Sequence, residues 1–485
     1  MYSFSSEIKD LARLISAAGY EAYIVGGAVR DLMLGRDSKD VDIVVDGNAL
    51  QIARLISDHR QVKYFVLNER HSTVRVLVKS EFLDSYAIDV SIIRNSISYD
   101  LMQRDFSCNS LAVPIGLAVR TWSADEIIDP QDGLTCISQR VLTVISDQSF
   151  KEDPLRLLRA FRLAVELDFV IDERTLAAVA DNTRLISTVS SERVREELLR
   201  IVGAPKSAQA LELMSELGVL DELLPELVEG RDVEQPPEHQ SDVLTHNLRT
   251  PEKLHDLVVR SESPYGSVAA SEPYCDWRDE LLNDDFSDGY PRWNLLALAG
   301  LLHDIGKPRT KTIETGGKIR FLNHGIVGAD LAREVLIRLR FSSKAVNFVT
   351  TLIRHHMRPS QIYAEGRLPT DKAIYRYHRD LTDTANDLLF LSLADYLAAV
   401  QEKFDSKYWL YRCTITDQVL EWNHKESIIN KARYLDGHDI IQEFSVEEGP
   451  VVGRLLALLD EAVALGTVRS REEALVYLAE EQVKL

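Results

Sequence analysis

Two aspartates near the N-terminus alternate along a short apolar segment in a pattern that suits metal-dependent chemistry. Asp40 and Asp42 lie within DVDIVV, which is typical of a β-strand. Side chains at i and i+2 of a strand point to the same face, so both carboxylates can bind cations that neutralise nucleotide phosphates. Upstream, Gly26 and Gly27 allow the backbone to approach a phosphate closely, and Arg30 follows them. Each motif alone is common in surface turns, but the combination is far more specific.

Four further elements follow this segment along the chain. They are RDFSCN from Arg104, IIDPQDGLTCISQRVL from Ile127, EDPLRLLRAFRLAVELDF from Glu152 and SSERVREEL from Ser190. Together with VGGAVRDLMLGRDSKDVDIVV from Val25, they resemble the nucleotidyltransferase head and neck of class II tRNA CCA-adding enzymes and bacterial poly(A) polymerases. The resemblance implies template-independent addition of nucleotides to a tRNA 3′ end, with CTP and ATP as substrates.

The resemblance also implies roles for the acidic residues of the head. Asp40 and Asp42 would bind Mg2+, and Asp89, in the strand AIDVSII, would help the primer hydroxyl lose its proton. An ordinary strand-edge aspartate is an equal alternative for Asp89.

Several residues are assigned to the nucleotide by the same resemblance. Gly26, Gly27 and Arg30 match a triphosphate-binding turn, although Arg30 could equally pair with Asp31 or Asp37. Arg104 offers a planar fork for phosphate oxygens, and Asp105 would contact the sugar or orient the arginine. In the same element, Asn109 matches the family's asparagine, whereas Gln103 stands where the family usually has an arginine.

Asp153 and Arg156 are predicted to be neighbours at i and i+3 on one helix face. In the family such a pair recognises the base edge of the incoming nucleotide, since an arginine donates to a ring acceptor and a carboxylate accepts from the exocyclic amino group of cytosine or adenine. The alternative is an intrahelical salt bridge. Arg159 and Arg162 continue the same series, either as nucleotide or tRNA contacts or as partners of nearby glutamates.

A second group of candidate ligands lies in apolar helical segments after residue 240. His303 and Asp304 are adjacent in LLHDIGKP, and Asp395 lies in LSLADYLA. Buried charges in such places usually bind metal or pair with each other. The order His, His-Asp, His, His, Asp resembles the HD metal-dependent phosphohydrolases and, behind this head, the HD-containing branch of the CCA-adding enzymes. The implied ligands are His246, His303, Asp304, His324, His355, His356 and Asp395.

The implied chemistry of this second site is hydrolysis of a phosphomonoester or a 2′,3′-cyclic phosphate, in the repair of tRNA ends. Imidazole and carboxylate ligands together suit a divalent transition metal (Mn, Ni, Co, Fe or Zn) or Mg2+, and the sequence does not choose among them.

The periodicity of the chain predicts an α+β protein. A small mixed β-sheet head is followed by an all-α neck and body and an all-α HD domain. The predicted domains are residues 1–150, 151–230, 231–400 with an insertion near 256–292, and 401–485. The segment EQPPE is predicted to be a linker, because two prolines cannot continue a helix.

Composition limits the class of protein further. The 485 residues contain no apolar run long enough to span a membrane, and the N-terminus lacks the pattern of a secretory signal. Four widely spaced cysteines suit the reducing cytoplasm. The formal net charge of −20 disfavours long-range attraction to nucleic acid, so local basic patches must bind tRNA. The oligomeric state stays open.

Three alternatives remain at this point. An enzyme that adds only A would differ in a flexible loop, expected near 68–72, that the sequence does not decode. A poly(A) polymerase is disfavoured, because the sequence shows neither a basic tail nor the arginine-rich element that this group tends to carry after its first catalytic strand. A protein of another class would combine an HD nucleotide phosphohydrolase with a degenerate tRNA-binding head, but the presence of Asp40, Asp42, Asp153 and Arg156 argues against it.

Overall fold

The computed structural model describes residues 1–38, 40–68, 73–78, 86–258, 285–363, 366, 368–400, 403–429 and 434–482. Most of the loop predicted near 68–72, and most of the insertion predicted at 256–292, lie outside these residues. The chain forms two compact units. The N-terminal unit comprises Met1–Glu197 and Leu213–Leu223, and the C-terminal unit comprises Leu198–Glu212 and Leu224–Leu485.

A six-stranded mixed sheet forms the centre of the N-terminal unit, with the strand order β3-β4-β5-β2-β1-β6. Neighbouring strands are antiparallel except for β2 and β5, which are parallel. The strands are β1 Glu21–Val25, β2 Asp40–Asp46, β3 Tyr64–Asn68, β4 Thr73–Val78, β5 Tyr86–Ile92 and β6 Ala112–Pro114.

Apolar residues on β2 explain why the sheet forms around it. Val41, Ile43, Val44 and Val45 are buried, whereas Asp40 at its start is exposed. Burial of each such side chain contributes about 1.5–3 kcal/mol.

Helices surround the sheet and then continue the N-terminal unit. Their ends follow local rules: Ser5 caps the first helix by accepting from Ile8 N, and Asn48 caps the third by accepting from Leu50 N. The helices are α1 Ser6–Ala17, α2 Gly27–Met33, α3 Ala49–Arg60, α4 Ile97–Met102, α5 Ile115–Ala118, α6 Gly133–Gln139, α7 Ser149–Glu152, α8 Arg156–Leu167 and α9 Glu173–Asn182. A small parallel pair, β7 Val141–Leu142 and β8 Val170–Ile171, accompanies them.

Three helices follow: α10 Ser191–Val202, α11 Ser207–Glu216 and α12 Val219–Leu223. Both α10 and α11 contain residues of each unit.

The described part of the C-terminal unit is built from helices, with two short two-stranded ribbons. The ribbons are β9 Asp285–Ser287 with β10 Tyr290–Pro291, and β11 Lys311–Ile313 with β12 Ile319–Phe321. The helices are α13 Pro225–Val228, α14 Val243–Val258, α15 Arg292–Leu302, α16 Lys307–Thr310, α17 His324–Arg338, α18 Ser343–His355, α19 Arg358–Tyr363, α20 Asp371–Leu381, α21 Ala385–Val400, α22 Ser406–Ile429, α23 Gly437–Phe444, α24 Pro450–Ala464 and α25 Arg471–Gln482.

The predicted α+β class is confirmed. No described helix has the length and apolar character that crossing a membrane requires. The division into four domains stays a prediction. The predicted linker is not simply a solvated connection, because Gln235 within it accepts a hydrogen bond from Lys307 Nζ at 2.7 Å.

Candidate functional site

The three acidic residues predicted for the head lie on two neighbouring strands. Asp42 on β2 lies opposite Asp89 on β5, and Asp40 is two residues before Asp42 on the same strand. Burial raises the pKa of Asp42, and the negative charges of Asp89 and Asp40 act in the same direction, whereas Arg104 opposes them. The site therefore needs positive charge, which is what a divalent cation supplies.

Asp89 has a partner that the sequence did not reveal. Arg75 on β4 lies opposite Asp89 in the sheet, and its Nε and Nη2 donate to the two carboxylate oxygens at 2.8 and 2.7 Å. This bidentate pair holds Asp89 in place. Among the described residues, Asp40, Asp42 and Asp89 do not form a group whose carboxylate oxygens all lie within 4.8 Å of one another.

Gly26 brings the backbone close to the same carboxylates. It has a φ of +71°, and a Cβ at this position would lie 2.5 Å from Arg104 Nη1 and 3.4 Å from Asp42 Oδ2. A side chain here would displace the guanidinium of Arg104. The glycine at position 26 thus has a physical cause, namely the close approach of Arg104 and Asp42, whereas a Cβ on Gly27 would meet only Arg30, at 3.5 Å.

A continuous set of hydrogen bonds joins α2 to α8. Arg30 donates from Nη1 to Asn109 Oδ1 at 2.6 Å, and Asn109 donates from Nδ2 to Asp105 Oδ1 at 3.0 Å. The other oxygen of Asp105 accepts from Arg159 Nη2 at 2.6 Å. Burial tends to raise the pKa of Asp105, but Arg159 and these hydrogen bonds outweigh it and hold that pKa well below its usual range. Arg30 also pairs with Asp31, one of the two partners considered for it.

The predicted placement of Asp153 and Arg156 on one helix is wrong. Asp153 follows α7 in an extended conformation, with φ −142° and ψ 97°, and α8 begins only at Arg156. The cause is Pro154, since a residue before proline is disfavoured in the helical region. Asp153 accepts from Arg193 Nη2 at 2.7 Å, while Arg156 donates to Ser149 Oγ and to the backbone oxygen of Gln103.

The two residues nevertheless share a cavity of about 310 Å3 in the N-terminal unit. Its lining combines cations with a few carboxylates, as a site for a phosphate-bearing ligand with a polar base requires. The lining residues with charged side chains are Arg94, Asp100, Arg104, Asp105, Asp153, Arg156, Arg159 and Arg193.

Arg162 does not belong to this cavity. Its guanidinium is buried and pairs with Glu166 at 3.1 Å and with Glu197 at 2.6 Å. The structure thus shows the alternative considered for Arg162, which is pairing with nearby glutamates.

In the C-terminal unit, Asp304 lies at the centre of a buried cluster. One carboxylate oxygen, Oδ2, lies 3.7 Å from His246 Nε2 and 3.3 Å from His303 Nε2. The other, Oδ1, lies 3.4 Å from His324 Nε2 and 3.6 Å from His356 Nε2. The two oxygens therefore face two different pairs of histidines.

Asp395 on α21 joins the first of these pairs. Its Oδ1 lies 3.0 Å from His246 Nε2 and 3.6 Å from His303 Nε2. Burial tends to lower the pKa of His303, but Asp304 and Asp395 outweigh it and raise that pKa to about 10. Asp304 and Asp395 thus supply negative charge that a proton on His303 or a metal ion would balance.

The histidine rings are oriented as metal ligands should be. Nδ1 of His303, His324 and His356 lies 2.7–2.8 Å from the backbone oxygens of Gly300, Phe321 and Ile353 respectively. If each Nδ1 donates, each Nε2 carries a lone pair toward the cluster, where pairs of Nε2 atoms approach to 3.2 and 3.0 Å. Asp304 Oδ1 has no hydrogen-bond partner among the described residues, although it is buried. These residues fit divalent metal ions.

Backbone packing positions this cluster. A Cβ on Gly306 would lie 2.3 Å from His324 O and 2.5 Å from Gly328 N. Only glycine therefore lets residues 303–306, the HDIG turn, contact α17. Lys307 Nζ lies 2.5 Å from Asp304 Oδ2 and adds a fixed positive charge.

The assignment of His355 as a metal ligand stays a prediction. This residue ends α18 and is not part of either metal-ligand group found among the described residues, whereas the next residue, His356, is. His239 is a neighbour that the sequence did not indicate, with its ring centroid 5.1 Å from that of His246. Burial lowers the pKa of His239 to about 4.

The cluster opens into a cavity of about 760 Å3. Besides Asp304, His324, His356 and Asp395, its wall contains aromatic, apolar and cationic side chains, among them Lys307, Arg320, Phe321, Leu322, Met357, Tyr396, Lys403, Tyr408 and Arg412. A cavity of this size accommodates a nucleotide-sized ligand.

Comparisons with known proteins match three parts of the chain to described domains. Residues 22–143 match the Poly A polymerase head domain, residues 168–230 match the probable RNA and SrmB-binding site of polymerase A, and residues 285–400 match the HD domain. The class is therefore a nucleotidyltransferase head joined to an HD domain.

Relatives match along nearly the whole chain. The A-adding tRNA nucleotidyltransferase of Deinococcus radiodurans is 30% identical over 94% of this chain and 94% of its own length. The CC-adding tRNA nucleotidyltransferase of Thermus thermophilus is 29% identical over 94% of this chain and 93% of its own. The chain belongs to the class II tRNA nucleotidyltransferases that carry an HD domain.

Solved structures support the fold. A complex of a CCA-adding enzyme with ATP superposes with a TM-score of 0.62 at 19% identity, over 98% of this chain and 95% of that one. The Thermotoga maritima CCA-adding enzyme complexed with tRNA gives a TM-score of 0.58 at 19% identity, over 98% and 95%.

Proposed function

We propose that the head adds C, A or both to the 3′ end of tRNA, using CTP and ATP without a nucleic-acid template. The observation that carries this proposal is the polar cavity in which Arg104, Asp105, Asp153, Arg156 and Arg159 meet. Full-length similarity to enzymes named for CC addition and A addition supports it. Because the proposed substrate is tRNA, the cytoplasm is the proposed compartment of the protein.

The proposed roles of the head residues follow from their contacts. Asp40 and Asp42 would hold Mg2+, which would neutralise the charge on the triphosphate and on the attacking oxygen. Arg104, next to Gly26 and Asp42, would bind phosphate oxygens through its fork. Asp89, fixed by Arg75, would act on the primer hydroxyl from the neighbouring strand.

Base selection is proposed to rest on Arg156 and Asp153. The guanidinium of Arg156 is held by Ser149 and the Gln103 carbonyl, which leaves further N–H groups for a ring acceptor. Arg193 orients the carboxylate of Asp153, which would accept from the exocyclic amino group that C and A share.

The test is extension of four tRNAs that lack CCA, end at the first C, end at the second C, or carry the complete end. Each is incubated with Mg2+ and one labelled nucleotide, and the extended ends are sequenced. Addition of C, of A, or of both identifies the specificity, and long A tracts would indicate a poly(A) polymerase instead. Absence of any addition, with Asp42→Asn as the matched inactive control, would overturn the proposal.

For the C-terminal unit we propose metal-dependent hydrolysis of a phosphate ester, acting in the repair of tRNA ends. The supporting observation is that the two oxygens of Asp304 face separate histidine pairs, an arrangement suited to two metal ions. Such ions would polarise the phosphate and lower the pKa of bound water. Lys307, beside Asp304, would place a further positive charge at the same phosphate.

Hydrolysis of p-nitrophenyl phosphate and of a 2′,3′-cyclic nucleotide, screened with Mn, Ni, Co, Fe, Zn and Mg, tests this second activity. Hydrolysis that depends on metal and is lost in His303→Ala supports it. Absence of hydrolysis with every metal would leave the HD domain without this activity.

A further inference from the structure

The cavity above the His–Asp cluster contains a buried cation that the proposed hydrolysis does not use. Arg412 on α22 lines this cavity and is only 5% exposed. Its guanidinium carbon lies 4.4 Å from the ring centroid of Tyr363, 4.8 Å from that of Tyr396 and 5.7 Å from that of Tyr408. Its Nη2 donates to the oxygen and hydroxyl of Ser392, at 2.7 and 2.9 Å.

Arg412 has no carboxylate partner in the part of the chain that the structure describes, and its buried Nε has no hydrogen-bond partner there. Two other cations of the same cavity are paired: Lys307 with Asp304 at 2.5 Å and Arg320 with Glu314 at 2.8 Å. A buried guanidinium without a counter-ion is costly, and the faces of three tyrosine rings offset only part of that cost. The environment of Arg412 therefore favours a bound anion.

The rest of the cavity wall indicates which part of the ligand lies between this anion and the phosphate at the His–Asp cluster. Phe321, Leu322 and Met357 contribute apolar surface, and Tyr396 and Tyr408 contribute aromatic rings. Flat, weakly polar groups such as a nucleobase bind well to surfaces of this kind.

We propose that Arg412 is a second anion-binding residue of the HD site, so that the ligand is a phosphate ester of a nucleoside that carries another phosphate. One phosphate lies at the His–Asp cluster, the nucleoside lies along the apolar wall, and the other phosphate pairs with Arg412. A free nucleoside 3′,5′-bisphosphate and the last nucleotide of an RNA with a 3′-phosphate share this chemistry. The position of the first phosphate rests on the proposed action of the HD domain on phosphate esters. The role of Arg412 does not depend on that action.

Binding to the metal-depleted full chain tests the second phosphate directly. Calorimetry compares uridine 3′,5′-bisphosphate with uridine 3′-phosphate, because uracil lacks the exocyclic amino group that the head is proposed to recognise. A charge-assisted pair predicts that the bisphosphate binds about tenfold more tightly or better. Equal affinity of the two nucleotides for the wild-type protein would overturn the proposal without any variant.

Variants then test whether Arg412 causes the preference for the bisphosphate. Arg412→Met keeps the length of the side chain and should abolish the preference, whereas Arg412→Lys keeps the charge and should retain part of it. Arg320→Met removes a paired cation from the same cavity and should leave the preference unchanged. Circular dichroism and thermal unfolding report whether each variant folds. A folded Arg412→Met protein with the wild-type preference would refute the role of Arg412.

Two further comparisons identify the source of the ligand and separate the anion-site proposal from the hydrolase proposal. An oligonucleotide with a 3′-phosphate that competes with the bisphosphate through Arg412 identifies an RNA end as the ligand, and its failure to compete identifies the free nucleotide. If no metal supports hydrolysis but the preference depends on Arg412, the anion site stands and the hydrolase proposal fails. If p-nitrophenyl phosphate is hydrolysed and the preference is absent, the anion site fails alone.

Discussion

The two candidate metal sites of this chain differ in the type of their ligands and in how deeply those ligands are buried. In the head, Asp40 is exposed at the start of a strand, Asp89 is bound to Arg75, and all the ligands offered are carboxylate oxygens. In the HD domain, Asp304 and His303 are almost fully buried and are surrounded by imidazoles.

This difference indicates which further ligands a metal ion needs at each site. Oxygen ligands that are few and partly exposed suit Mg2+, which usually arrives with substrate phosphates and keeps several waters. Buried imidazole and carboxylate ligands already suit a transition metal without substrate. We therefore expect the HD domain to bind metal in the absence of nucleotide, and the head to bind it tightly only with a triphosphate.

The largest expected effect comes from removing two ligands of the HD cluster. In the His303→Ala, Asp304→Ala double variant, metal affinity should fall by about 10,000-fold, because each lost ligand should cost at least the 10- to 100-fold of an outer-shell change. Metal content by mass spectrometry and hydrolysis of p-nitrophenyl phosphate measure this effect. Nucleotide addition should persist, and its loss would show that the two sites are not independent.

A smaller effect is expected from Asp42→Ala in the head. Loss of a metal ligand should lower nucleotide addition by about 1,000-fold, since metal ions supply several kcal/mol of charge stabilisation. Single-turnover incorporation of CTP and ATP is the measurement, with tRNA binding followed in parallel. Near-normal turnover would contradict the assignment, while unchanged hydrolysis by the HD domain would sharpen the contrast between the sites.

Asp105→Asn should lower the free energy of unfolding by about 3 kcal/mol at neutral pH, because Arg159 loses the charge of its buried partner. The pKa of Asp105 is depressed in the folded protein, so its contribution is complete above the ordinary pKa of an aspartate and is lost as the pH falls below it. Urea unfolding of both proteins between pH 7 and pH 3 should show the difference shrink below about pH 4. A difference that is constant over this range would refute the ion pair.

The smallest effect should come from Gly306→Ala. The new Cβ would overlap His324 O and Gly328 N, and relief of that overlap should cost about 2 kcal/mol of stability. Denaturant unfolding measures the change, and hydrolysis should fall with it because His324 moves. Gly453→Ala on α24, where a Cβ meets no atom within 4 Å, is the control and should not destabilise the protein.

Much of the head was predictable because its features are local. The alternating apolar residues of β2 and β5 predict strands, and the i, i+2 spacing predicts that Asp40 and Asp42 share a face. The register of β2 with β5, which brings Asp89 opposite Asp42, depends on long-range pairing that one sequence does not specify. Arg75 was missed for the same reason.

The errors have equally specific causes. Pro154 already disfavours a helical Asp153, so this error was avoidable from the sequence. The sequence alone does not show that His356 joins the buried metal-ligand groups, because nothing in it indicates which of two neighbouring residues at a helix end faces the core. Arg412 contributes to a cavity formed by segments far apart in the sequence, and a single arginine in a helix of mixed polar and apolar residues carries no pattern that indicates it.

The close packing of Gly306 against α17 has a consequence for the timescale of metal exchange. Backbone atoms bring the HDIG turn to His324, and backbone carbonyls orient three of the histidine rings, so the ligands keep their places through contacts that the ion does not make. A protein stripped by a chelator should therefore recover the proposed hydrolytic activity on re-addition of metal as quickly as the ion enters the cavity, with no slow refolding phase.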